Sequence, residues 1–142
     1  MVKEILKNRP LFNECIEVLE AIVLPNDDSD KMTYLFNQMY PITKWGKIDW
    51  DKIRIKKHIG VDPKEIIPAL QALRNRPFDT QVYIDWSDGG LPVIQADLEH
   101  VAKFFDDLTC VTFEKFLFNP YEGYIIEILP GDDMTVGILD SH

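Results

Sequence analysis

Residues 80–96 read TQVYIDWSDGGLPVIQA, the pattern of a strand, a turn and a returning strand. Val82, Ile84 and Trp86 alternate with Gln81, Tyr83 and Asp85, the period of a strand with one face turned to a core. Ser87-Asp88-Gly89-Gly90 reads as a turn, because glycine reaches the positive φ angles that turns demand. Leu91–Ala96 returns as the partner strand. Short turns between consecutive strands make antiparallel neighbours.

The same pattern continues toward the C-terminus. Asp97 is placed to cap a short helix whose apolar side carries Leu98, Val101, Phe104 and Phe105. Residues 110–118, CVTFEKFLF, form a β-prone run. Asn119-Pro120-Tyr121-Glu122-Gly123 turns the chain into Tyr124–Leu129, and Pro130-Gly131-Asp132-Asp133 turns it again into Met134–Leu139.

Toward the N-terminus the period becomes helical. Leu11, Cys15, Ile16, Val18, Leu19 and Ile22 share a face, with Asn8 as candidate cap and Pro10 in the first turn. Met32, Leu35, Phe36 and Met39 share another, starting at Asp28 or Ser29 and ending at Pro41. Asp62-Pro63-Lys64-Glu65 starts a third, with a capping box as the expected device; Ile66, Ile67, Leu70 and Leu73 follow, and Pro68 invites a kink. Residues 41–60 look irregular. Trp45 and Trp50 are expected to plug a seam between helices and sheet. The expectation is an α+β fold: three N-terminal helices on one face of an antiparallel sheet of about five strands, with one inserted helix. Residues 1–142 make a single domain, 1–78 mainly helical and 79–142 mainly β.

Charge divides along the same line. Residues 79–142 hold 13 acidic residues against Lys103 and Lys115, a formal charge of −11, whereas residues 1–78 carry +2, for a total of −9. A dense field of one sign favours an oppositely charged partner. Nucleic acid and anionic membrane are poor partners for such a half, and a basic protein surface or a cation is a better one. The run Lys52, Arg54, Lys56, Lys57, His58 alternates with Ile53, Ile55 and Ile59 and is flanked by Asp49 and Asp51. It reads as the solvated face of an amphipathic edge or strand that neutralises part of the acidic sheet.

Sequence signatures of catalysis fail. P-loop, GxGxxG and GxSxG patterns are absent. His58, His100 and His142 have no ligand-spaced partners, and Cys15 and Cys110 lack CxxC spacing. Both cysteines sit in apolar runs and read as buried free thiols of a reducing compartment. A Cys110–His100 nucleophile pair would have to form in space. An EF-hand started at Asp85 would put Gly90 correctly at its sixth position but Ala96 where a bidentate Glu is needed. No catalytic residue, metal ligand or cofactor is assigned. The absence of an apolar run of signal-peptide or membrane-spanning length points to the cytoplasm.

The remaining candidates are the acidic turns. Asp85, Trp86 and Asp88 are expected together at a sheet edge, as two carboxylates around a rigid aromatic anchor. Tyr121, Glu122 and Tyr124 form a second group, and Asp132 with Asp133 a third.

The stretch Tyr40-Pro41-Ile42-Thr43-Lys44-Trp45-Gly46-Lys47-Ile48-Asp49-Trp50, followed by an acidic α+β half, resembles immunity proteins of bacterial contact-dependent growth inhibition systems. That resemblance implies a non-enzymatic inhibitor that binds the toxin domain of a cognate secreted or surface protein. Such toxin domains are often nucleases with basic surfaces, which an acidic inhibitor can cover. The competing readings are a small cytosolic enzyme or cation-binding domain that uses the turn carboxylates, and a protein-interaction adaptor.

Overall fold

The computed structural model describes residues 8–140. Expectations for His142 and for the first seven residues lie outside the described residues. In chain order the elements are α1 (Pro10–Leu19), β1 (Ile22–Val23), α2 (Asn26–Met39), a 3-10 turn (Trp50–Lys52), β2 (Ile55–Gly60), a second 3-10 turn (Pro63–Glu65), α3 (Ile66–Arg74), β3 (Gln81–Asp85), β4 (Ile94–Asp97), α4 (Leu98–Lys103), α5 (Phe105–Thr109), β5 (Lys115–Asn119), β6 (Tyr124–Leu129) and β7 (Asp133–Ile138).

The α+β class holds, with seven strands rather than about five. Their order is β1-β4-β3-β5-β6-β7-β2, and every neighbouring pair is antiparallel. The two additional strands lie at the edges. The two-residue β1 is too short to announce itself as a pattern. The basic run forms β2, an edge strand, as its alternation implied. Its His58 Nε2 lies 2.7 Å from Asp133 Oδ1, and Arg54, just before the strand, donates to Asp140 at 3.2 Å.

The sheet is covered on both faces, which the sequence reading did not foresee. On one face α1, α3, α4 and α5 pack Phe12, Leu19, Leu70, Val101 and Leu108 against Val82, Ile84, Leu117 and Ile126. On the other, α2 and residues 40–53 pack Met32, Phe36, Tyr40, Ile48 and Ile53 against Phe116, Phe118 and Ile125. Alternate residues of β5 and β6 thus enter different cores, and every residue of β5 is buried. That double burial explains the continuous rather than alternating hydrophobic run.

Local chemistry sets the element ends. Asp97 caps α4 by accepting from Glu99 N at 2.8 Å, as expected. Asp62 accepts from Lys64 N at 3.0 Å, but a 3-10 turn forms there before α3. Arg9 rather than Asn8 occupies the cap position of α1, and Glu20 closes that helix in the left-handed conformation. Ser29 lies inside α2, where its Oγ accepts from Val93 N at 2.9 Å and ties the helix to the sheet. The expected single inserted helix is two short ones, broken at Phe104 (φ −115°, ψ 38°).

The seam expectation splits. Trp50 packs against the second core and its Nε1 donates to Glu127 at 2.8 Å. A Cβ placed on Gly137 would lie 2.7 Å from the Trp50 ring, so β7 needs glycine there. Trp45 instead stands on a turn at 76 % exposure. The turn closes by Thr43 N donating to Lys47 O at 2.7 Å, with Gly46 at φ 80°. Residues 110–114 are not strand, because α5 reaches Thr109 and β5 starts at Lys115. Cys15 is buried as expected, and Cys110 is exposed in that linking segment.

Candidate partner-binding surface

Strand register sorts the acidic turns by end of the sheet. Asp85 pairs with Phe116, and Lys115 pairs with Ile128. The β3–β4 loop, the start of β5 and the β6–β7 turn therefore share one end. Asp85, Trp86, Asp88, Asp132 and Asp133 belong to it. Tyr121 and Glu122 sit at the other end, in the β5–β6 turn. The three groups do not form one patch.

Two aromatic candidates are corrected. Trp86 is 1 % exposed and meets Phe12 edge-on, with ring centroids 5.8 Å apart. It continues the inward alternation of Val82 and Ile84, so the strand pattern itself carries it into the core. Tyr124 is equally buried. Its hydroxyl donates to the carbonyls of Asp79 and Gln81 at 3.1 and 2.9 Å, and burial pushes the phenol well above its ordinary range. Neither ring is presented to a partner, whereas Tyr121 is exposed.

The carboxylates differ from one another. Asp88 accepts from Arg9 Nη1 at 3.0 Å and from Gly90 N at 2.8 Å, and these bonds hold it below the usual carboxylate range. Asp85 accepts from Ser87 N at 2.9 Å, but burial outweighs that bond and raises its pKa. Asp132 sits in the left-handed conformation at φ 65°. Glu122 is tied to the helical half of the chain. It lies 3.6 Å from both Arg74 and Arg76 and accepts from Asp79 N at 3.0 Å, while Arg74 also donates to the Glu122 carbonyl. The near absence of cations from residues 79–142 hid this arrangement, because both arginines come from the helical half.

Other exposed groups went unread in the sequence. Phe113 is 88 % exposed, and the neighbouring Glu114 pairs with Lys47 at 2.6 Å, bringing the Trp45 turn to the same region. Nothing in CVTFEKFLF distinguishes Phe113 from the buried Phe116 and Phe118. Lys115 is fully buried on the helix-facing side, and its Nζ has no hydrogen-bond partner among the described residues. Burial drives its pKa down, opposed by the nearby Asp132.

Two cavities flank Ser87 and Asp88. One, of about 680 Å³, is walled by Trp86, Cys110, Val111, Phe113 and Glu114. The other, of about 570 Å³, is lined by Asp30, Asp85 and Asp88 beside Ser29 and Pro92. Among the described residues no three His, Cys, Asp or Glu side chains gather as a metal site. His100 Nδ1 lies 3.0 Å from the carbonyl of Leu19, so that ring nitrogen is engaged with the backbone. No helix among the described residues is long and apolar enough to cross a membrane.

Comparison with known families places the chain in one of them. A family model described as CdiI immunity protein, EcoliA0-like, covers residues 9–137. No curated protein matches the chain.

Proposed function

Because the chain belongs to the CdiI immunity protein family, we propose that it neutralises a cognate contact-dependent growth inhibition toxin by binding the toxin domain in the cytoplasm. The observation that carries the finer reading is the −11 formal charge of residues 79–142. Such a field attracts a basic surface and repels nucleic acid. The toxin is therefore read as a basic domain, with a nuclease as the fitting class, whose cleft is occluded by a surface that replaces phosphate.

The inhibitor acts by occupancy rather than turnover. His100 Nδ1 faces a backbone carbonyl and Cys15 is buried, and among the described residues no histidine is hydrogen-bonded to the exposed Cys110. Asp85, Asp88, Asp132 and Asp133 are the acidic contacts proposed at one end of the sheet, with Tyr121 and Glu122 at the other.

Co-production of the chain with its cognate toxin domain in a toxin-sensitive bacterium tests the reading. Growth is expected to be restored, and the two proteins are expected to co-purify. Arrested growth at equal expression would overturn it.

A further inference from the structure

We propose that the two cavities beside Ser87 and Asp88 receive a single extended segment of the toxin, carrying a basic side chain next to an apolar one. This rests on the toxin-binding reading and names the part of the surface that reads the partner. Asp88 lines both cavities, so one short segment can reach both.

The cavities differ in chemistry. The smaller is lined by Asp30, Asp85 and Asp88, and among the described residues no lysine, arginine or histidine lines it. Arg9 does reach Asp88, through Oδ2 at 3.0 Å, which leaves Asp30 and Asp85 without a cation among the described residues. An entering guanidinium or ammonium meets carboxylates there. The larger cavity offers Val111 and Phe113 as apolar wall, and Phe113 is 88 % exposed. An exposed phenylalanine beside a concave apolar wall has the character of an interface hot spot.

The two linings together select the occupant. A bare metal ion leaves the apolar wall uncovered. A phosphate-bearing ligand is repelled by Asp30, Asp85 and Asp88. The occupant that meets both demands is a peptide segment with adjoining basic and apolar side chains.

The test is binding of the cognate toxin domain to four full-length variants. Asp30→Lys reverses one exposed charge at the acidic cavity, and Phe113→Ala removes the exposed ring at the apolar one. Asp140→Lys makes the same charge change at the far end of the sheet, and Ile22→Ala trims an exposed apolar side chain on edge strand β1, outside both cavities. Asp30→Lys and Phe113→Ala are each expected to raise Kd at least about tenfold, and the two control variants less than about threefold. Circular dichroism melts of all four should match wild type, since none of these side chains is buried. If Asp30→Lys and Phe113→Ala bind like wild type while wild type still protects cells, the segment proposal falls and the toxin-binding reading stands. Equal loss in Asp30→Lys and Asp140→Lys reduces the effect to general charge and also overturns the proposal. If wild type does not bind the toxin domain, both fall.

Discussion

Glu127 holds Trp50 across 77 residues of sequence: its Oε1 accepts from the indole Nε1 at 2.8 Å while Oε2 accepts from the Ile48 amide at 2.9 Å. The carboxylate is 3 % exposed and lies in the middle of β6, facing the second core. It anchors the chain between α2 and β2, which has little regular structure of its own, onto the sheet. The stretch Tyr40–Trp50, whose character suggested the family, is thereby a structural element of the second core. Tyr40 completes it by donating from its hydroxyl to the Tyr124 carbonyl at 2.8 Å.

Removing that anchor leaves two donors unmatched. Glu127→Ala is expected to lower unfolding stability by about 3 kcal/mol, because each unsatisfied buried group costs about 1–3 kcal/mol. Glu127→Gln retains one acceptor oxygen and should lose about half as much. Urea denaturation checks both. A Glu127→Ala variant within 1 kcal/mol of wild type, on the scale of a single ordinary hydrogen bond, contradicts the anchor role.

Much of the fold was legible from period alone. The alternation of Val82, Ile84 and Trp86 locates β3, and it also places Trp86 on the core side. Asp97 marked the start of α4. The second face of the sheet was not legible, because Phe116 and Leu117 are equally apolar and their opposite directions follow only from pairing with β3 and β6. The acidic turns were visible as composition, but not their ends of the sheet or their partners. Glu122 finds Arg74 and Arg76 through tertiary packing, which no local count of lysine and arginine can register. The cavities need Asp30 of α2 beside Asp85 and Asp88, a long-range meeting without a sequence signal.

Lys115 is expected to cost stability at neutral pH. Its ammonium is buried without a hydrogen-bond partner among the described residues, and its pKa is lowered by burial. The unfolded chain holds that proton more tightly, so this group makes stability rise with pH from the lowered value up to 10.5. Lys115→Met should therefore be more stable than wild type at pH 7, by about 1 kcal/mol or more, as when a buried charge is replaced by a packed apolar chain. A variant less stable than wild type by that amount would show that the ammonium is compensated.

Cys15 acts in the opposite sense. Burial pushes its thiol from 9.0 up to about 12. The unfolded chain releases the proton first, so this group's effect is nil below pH 9 and stability falls as pH rises from 9.0 toward 12. Each unit of difference amounts to about 1.4 kcal/mol. Cys15→Ala should flatten that alkaline decline relative to its own stability at pH 7. Because Lys115 opposes Cys15 in part of this range, each limb is to be read from its own variant. An unchanged slope in Cys15→Ala assigns the decline elsewhere, with the buried phenols of Tyr40 and Tyr124 next in line.

Association with the toxin domain should be steered by charge. The −11 field of residues 79–142 implies that the association rate falls several-fold between low and physiological salt, where the screening length shortens to about 8 Å. Stopped-flow fluorescence from the exposed Trp45 offers a probe near Glu114. A rate independent of salt removes the electrostatic argument and leaves apolar contact as the basis of recognition.

Titration of toxin activity measures neutralisation by occupancy. Increasing amounts of the chain are added to a fixed, known concentration of cognate toxin domain, well above the dissociation constant, and residual toxin activity is recorded. Occupancy predicts a linear fall that reaches zero at about one chain per toxin, as for any tight one-to-one complex. Complete loss of activity at a small fraction of an equivalent, growing with time, or undiminished activity at large excess, would contradict it.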